Sequence, residues 1–194
     1  MSGNRYPKLA LIVIVLCLGF SPKVGADTPR VQLQGTIQQV MEVLKTIRSA
    51  DDIARNKDRL RQIVSTRFDF TEMARRSLGS HWNNLNGKEA EFVAAFMQFI
   101  EGAYFGSLGS YRGEKIVYGR ERMNQELAEV DTQVVGGQGA ALEVDYRLHR
   151  VDGEWKIYDV VIDQVSLVSN YRSQFRRVLQ TASLDDLIRK LRER

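Results

Sequence analysis

Thiol and histidine chemistry are nearly absent from this chain: its 194 residues include one cysteine and two histidines. Cys17 lies inside the apolar run Leu9 to Phe20 and follows Leu16, not a small residue, so it does not read as a lipoprotein attachment site. Once the leading segment is set aside the chain has no cysteine, which excludes disulfides, thiolate nucleophiles and thiolate metal sites. His81, between Ser80 and Trp82, has no carboxylate or second histidine at a helical ligand spacing, and His149 falls on the polar side of a strand pattern. No Gly-rich loop follows a parallel-strand pattern, so nucleotide chemistry lacks its phosphate cradle. The sequence therefore predicts no metal, no cofactor and no enzyme.

Long apolar runs are also scarce. Leu9 to Phe20, preceded by Arg5 and Lys8 and followed by the small residues Val24-Gly25-Ala26, reads as a secretory signal peptide cleaved near Ala26. At about twelve residues it falls short of the roughly 20 that a helix needs to cross ~30 Å of hydrocarbon. Its removal takes Arg5, Lys8 and Lys23 and no acid, leaving 25 basic against 24 acidic residues from 28 against 24. A nucleic-acid partner thereby loses its electrostatic basis. Residues 27–194 are expected to form one domain in the periplasm, mainly helical over 27–112, a sheet over 113–164 and helical again over 165–194.

Hydrophobic spacing supplies the elements. Ile37, Val40, Met41, Leu44 and Ile47 repeat at 3.6 residues, and Ser49-Ala50-Asp51-Asp52 caps a second helix running through Leu60 and Ile63. From Glu89 to Leu108 the stripe of Phe92, Phe96, Phe99 and Ala103 is widened by Val93, Met97, Ile100 and Tyr104, an apolar face broader than one neighbouring helix requires. Gly106 and Gly109 weaken that helix, and Tyr111-Arg112-Gly113 ends it. The period then becomes two. Strands are predicted over 115–119, 125–135, 140–150 and 154–163, with Gly136 to Gly139 and Asp152-Gly153 as hairpin turns. Helices over Ser169 to Gln180, with Phe175, Val178 and Leu179 inward, and after Ser183-Leu184-Asp185-Asp186 complete the chain. The sum is α+β, with N- and C-terminal helices packed on a curved antiparallel sheet of about four strands. Asp51-Asp52 and Asp185-Asp186 stand where helix N-termini favour negative charge, which assigns them to capping rather than acid/base work.

The apolar residues converge. Phe92 to Tyr104, the alternating face Leu142, Val144, Tyr146 and Leu148, then Tyr158, Val160 and Ile162, and finally Val165, Leu167 and Val168 can all meet in one space. A packed core and a ligand-filled cavity draw on the same residues, and patterning leaves both open.

Phe68-Asp69-Phe70-Thr71-Glu72-Met73-Ala74, Leu78-Gly79-Ser80-His81-Trp82, Phe92 to Leu108, and Tyr158-Asp159-Val160 through Val165 to Phe175 resemble the toluene-tolerance family over nearly the whole chain after residue 26. The resemblance implies a periplasmic phospholipid carrier with helices on a curved sheet around a cavity for acyl chains. Partners follow from it too: an outer-membrane lipoprotein of the MlaA type with a porin, and an inner-membrane ABC transporter with a lipid-binding subunit of the MlaD type. The family often has Glu-Gly after the fourth strand, where this chain has Asp163-Gln164.

On that reading Phe92, Phe96, Phe99, Ile100, Tyr104, Leu108, Leu142, Val144, Tyr146, Leu148, Tyr158, Val160, Ile162, Val165, Leu167 and Val168 line the lipid chamber. Tyr171 meets the glycerol region, Arg172 the phosphate or a nearby carboxylate, and Gly106, Gly109 and Gly113 give the mouth its flexibility. Arg75, Arg76, Arg147 and Arg172 are contacts for acidic partners or simply a solvated mixed-charge surface. Three alternatives stay open: a carrier of another lipid such as a hopanoid, an enzyme with a buried Asp/His pair in a cone-shaped fold, and an interaction protein with a solid interior.

Overall fold

The computed structural model describes residues 28–104, 111–136 and 141–193. The signal-peptide reading, Leu108, Gly106 and Gly109 lie outside them. Among the described residues six helices and a five-stranded sheet follow in order: α1 (Pro29–Leu44), α2 (Ala50–Arg67), α3 (Phe70–Leu78), a 3-10 turn (Gly79–Asn84), α4 (Glu89–Tyr104), β1 (Lys115–Asn124), β2 (Leu127–Val135), β3 (Leu142–Val151), β4 (Glu154–Ile162), β5 (Val165–Ser166), α5 (Leu167–Leu179) and α6 (Leu184–Arg192). Among the described residues no helix is long and apolar enough to cross a membrane.

Two helix starts rest on the serines the sequence singles out. Ser49 Oγ accepts from Asp52 N–H and the Asp52 carboxylate accepts from Ser49 N–H; Ser183 and Asp186 repeat the arrangement. Hydrogen bonds hold the Asp52 and Asp186 carboxyls at a pKa of about 2. The cause in Asp52 is first the Arg48 amide and then the Arg55 and Ser49 side chains; in Asp186 it is first the Ser183 hydroxyl.

Helix α3 and the turn after it go beyond the predicted elements, although their signals are present. Asp69 accepts from Glu72 N–H at 2.8 Å as an N-cap, and Gly79 ends the helix at φ 63°, a left-handed conformation that glycine adopts without a Cβ penalty. Helix α5 begins at Leu167, two residues earlier than expected, because Ser166 Oγ accepts from Ser169 N–H and caps it. Leu167 and Val168 therefore belong to a first helical turn and not to an extended wall.

The sheet is an antiparallel meander in the order β1-β2-β3-β4-β5. Strand β1 extends five residues beyond the predicted Gly119, with a bulge between Tyr118 and Glu121. A second bulge, between Arg147 and Leu148 of β3, pairs Arg147 with Asp159 but Leu148 with Ile157, leaving Tyr158 the extra residue. That shift changes the side-chain parity of β4, so Tyr158 and Val160 do not share a face as strict alternation predicts.

The turn from β4 to the two-residue β5 is Asp163-Gln164, with φ of 44° and 67° between the paired Ile162 and Val165. Two positive φ values favour glycine at the second position, where glutamine carries a Cβ cost of about 1–2 kcal/mol. Gln164→Gly is expected to stabilise the protein by about 0.5–1 kcal/mol after the larger entropy of an unfolded glycine is subtracted. Urea midpoints of the two proteins measure this, and a lower midpoint for the variant would contradict it.

The described residues form two apolar clusters in the interior. Helices α3 to α6 share an aromatic core in which Phe92, Phe96, Phe99, Tyr171 and Phe175 meet at ring distances of 5.2 to 6.3 Å. Beneath α1, Leu33 packs on Val130, Leu148, Trp155 and Ile157 of the sheet. Arg67, at the end of α2, donates to Trp155 O and to Gln32 and Thr36 of α1, which pins that end of α2 to helix and sheet. Burial lowers the Arg67 pKa, consistent with a guanidinium held by neutral acceptors.

Candidate functional site

Between the two clusters an apolar pocket of about 320 Å³ remains unfilled. Its helical wall comes from α2 (Leu60, Arg61, Val64), α4 (Met97, Ile100, Glu101, Tyr104) and the segment Phe68 to Met73. Its sheet wall is Val144, Tyr146, Val160 and Ile162, closed at one end by Leu167. Helix α2 is a thin cover: of its described side chains only Leu60 reaches full burial, at 1% exposure. Desolvation pushes the Tyr146 phenol above its ordinary pKa.

Seven of the eighteen residues singled out in the sequence line this pocket: Ile100, Tyr104, Val144, Tyr146, Val160, Ile162 and Leu167. The others go elsewhere, for identifiable reasons. Phe92, Phe96, Phe99, Val168 and Tyr171 are consumed by the helical core, because the broad face of α4 serves α3, α5 and α6 on one side and the pocket on the other. Leu148 lies at 0% exposure in the cluster under α1. Leu142 and Val165, the first residues of β3 and β5, are 39% and 55% exposed. Leu108 is outside the described residues.

Tyr158, Tyr171 and Arg172 are corrections to the expected arrangement. The β4 bulge turns Tyr158 to the outer face of the sheet, where Arg76 stacks over its ring at 4.1 Å and His149 meets it edge-on at 5.5 Å. Tyr171 is buried rather than rim-exposed, stacked on Phe175, with its hydroxyl 3.4 Å from that of Tyr104. Arg172 is exposed but turned to α3: its Nε donates to Arg76 O at 2.8 Å and its stem packs over Gly79.

Val40, Leu60, Arg61, Val64, Phe68, Phe70, Met73, Met97 and Glu101 line the pocket without having been singled out as site residues. The spacing of Leu60, Val64 and Phe68 at four residues was the available signal for α2. Glu101 carries a different signal, a carboxylate on an otherwise apolar helix face. It is 5% exposed and takes both ends of a fork from Arg61, Nε to Oε1 at 2.6 Å and Nη2 to Oε2 at 2.7 Å. The Glu101 hydrogen bond is also the main reason the Arg61 pKa is raised.

The outer face of the sheet is polar. Glu129, Asp131 and Asp145 cluster there; Arg122 pairs with Glu129 and, at 2.8 Å from Nη2 to Oδ1, with Asp131, and Arg147 Nε lies 3.4 Å from Glu129 Oε2. His149 Nε2 lies 3.0 Å from Asp69 Oδ2, while Asp159 accepts from Ser166, Val168 and Arg147. His149 is thus paired with Asp69 and not with Asp159, and none of the three lines the pocket.

Helices closing one face of an antiparallel meander, with an apolar pocket between the layers, define an α+β protein whose candidate site is walled mainly by aliphatic and aromatic side chains. The match to the MlaC protein family spans residues 34–193, and the chain belongs to that family. It is similar to toluene tolerance protein Ttg2D of Pseudomonas putida, 24% identical over 166 residues covering 81% of this chain and 75% of that one. It is also similar to the intermembrane phospholipid transport system binding protein MlaC of Haemophilus influenzae, 26% identical over 122 residues, 60% of this chain and 57% of that protein. In three dimensions it resembles the phospholipid-binding protein of Ralstonia solanacearum, solved in complex with a phospholipid. That likeness has a TM-score of 0.72 at 21% identity, over 84% of this chain and 93% of the other.

Proposed function

We propose that this protein is a periplasmic phospholipid carrier that moves lipid between the inner- and outer-membrane complexes and so maintains outer-membrane lipid asymmetry. The observation that carries the reading is the apolar pocket between α2, α4 and the sheet, in a chain of the MlaC family. Relatives named for phospholipid binding and intermembrane transport support it. Residues 1–26 act as the export signal, cleaved near Ala26. The partners are an inner-membrane ABC transporter with an MlaD-like subunit and an outer-membrane MlaA-like lipoprotein with its porin.

The energetics favour a carrier that never releases lipid into water. Two tails carry on the order of 30 methylenes, whose exposure costs about 25 kcal/mol at roughly 0.8 kcal/mol each. Transfer therefore runs directly from one apolar site to another. At roughly 30 Å³ for a methylene-sized group, near the share a water takes in the liquid, both tails fill on the order of 900 Å³. The pocket lies under α2, in which Leu60 is the single fully buried side chain among those described, so the tails lie beneath a thinly anchored helix.

Native mass spectrometry and organic extraction of the protein purified from a Gram-negative periplasm test this reading. A bound diacyl phospholipid is the expected result. Protein found only at its unliganded mass, with no lipid in the extract, would overturn it, and a hopanoid in the extract would replace the phospholipid with that cargo.

A further inference from the structure

Among the described residues that line the pocket, Arg61 alone is basic, and it spans the boundary between pocket and solvent with 39% of its side chain exposed. Its two carboxylate partners differ sharply. Glu101, 6% exposed at the side chain, takes Nε and Nη2 in a fork; Asp58, 92% exposed, takes Nη1 at 2.9 Å. A guanidinium offers five N–H donors in a fixed plane, so the Glu101 fork leaves donors on both terminal nitrogens.

We propose that Arg61 is the phosphate anchor of the bound lipid, that Glu101 is the residue that positions it, and that the lipid phosphate displaces Asp58. This rests on the carrier reading above. The chemistry follows from the unequal burial. Detaching Glu101 would leave a charge unpaired in the interior, so its fork persists. The contact with Asp58 is an exposed ion pair, held weakly against side-chain entropy and solvent, and a phosphodiester replaces it on Nη1 with a charge-assisted hydrogen bond of the same kind. Acyl chains lying along Val64, Met97 and Ile100 bring the phosphate to that edge. Arg172, the residue the sequence suggests for this role, donates its Nε to the Arg76 carbonyl and does not line the pocket.

The test separates phosphate recognition from tail burial. Protein stripped of lipid is equilibrated with vesicles of dioleoyl phosphatidylglycerol containing a minor fraction of dioleoylglycerol, which has the same chains and no phosphate. The bound ratio, normalised to vesicle composition, is read by extraction and mass spectrometry. The variant Arg61→Gln with Glu101→Gln keeps a hydrogen-bonded pair without buried charge, and its preference for the phospholipid falls roughly tenfold, about one charge-assisted hydrogen bond. Arg61→Lys, which leaves Glu101 a counter-ion but loses the fork, falls several-fold, and Arg172→Gln keeps the wild-type ratio. An unchanged ratio in both Arg61 variants, or an equal loss in Arg172→Gln, overturns the assignment while leaving the carrier reading intact. Wild-type protein that takes up neither lipid removes the carrier reading and this inference with it.

Discussion

Alanine at position 159 is expected to cost about 2–5 kcal/mol of stability, because it leaves an amide and a hydroxyl at a buried junction without their acceptor. Asp159 is 3% exposed on β4 and its carboxylate gathers the chain where sheet becomes helix. It accepts from Ser166 Oγ at 2.7 Å, from Val168 N–H at 3.1 Å and from Arg147 Nη1 at 3.1 Å. Ser166 is itself the N-cap of α5, so one side chain ties β3, β4, β5 and that helix together. Removing it strands an amide and a hydroxyl, each costing about 1–3 kcal/mol when buried without a partner. Against a total of about 5–15 kcal/mol the loss is large. Urea denaturation of the protein beginning at residue 27 measures it. A change below about 1 kcal/mol would show that the junction does not depend on this carboxylate.

Narrowing the pocket is expected to weaken lipid loading more than tenfold while sparing the fold. Met97 lines the pocket from α4 and is only partly buried, so tryptophan there projects into unfilled space rather than into the packed core. The indole adds about six heavy atoms; displacing even three methylenes forfeits about 2.4 kcal/mol, well over tenfold in affinity. New apolar contact offsets any strain, so the urea midpoint stays within about 1 kcal/mol of wild type. Lipid recovered per mole of purified protein gives the readout. Full loading of a folded Met97→Trp protein would place the lipid elsewhere.

Much of the architecture was legible in the chain. Period-3.6 stripes gave α1, α2, α4 and α6, period-two alternation gave the four long strands, and Asp152-Gly153, with φ of 50° and 85°, closes its hairpin as that pair of residues suggests. The inner face of β3 also followed directly, since Val144 and Tyr146 lie opposite Asp145 and Arg147 by simple alternation. Helix α3 escaped because nine residues present too short a stripe to detect by period, although its Asp69 cap and Gly79 end were readable.

Pocket membership was the less legible part. Phe96 and Ile100 sit one helical turn apart on α4 with equally apolar side chains, yet one is sealed in the aromatic core and the other faces the pocket. Only the positions of α5 and α6 separate those roles. Tyr158 shows the same limit in a strand: a single inserted residue opposite Leu148 moved it to the outer surface, and no local sequence pattern announces the bulge. Arg61 and Glu101 are forty positions apart, and nothing in either helix pairs them.

Sequence alone determined the class of elements, their order, the poverty of catalytic groups and the supply of apolar side chains, because these depend on residue type and spacing within a few turns. Tertiary structure decided which apolar residues became core and which became pocket wall, and which arginine stands at the pocket's edge. Those outcomes depend on how helices and sheet pack over long separations, where a helix face or strand parity meets a neighbour that its own sequence does not encode.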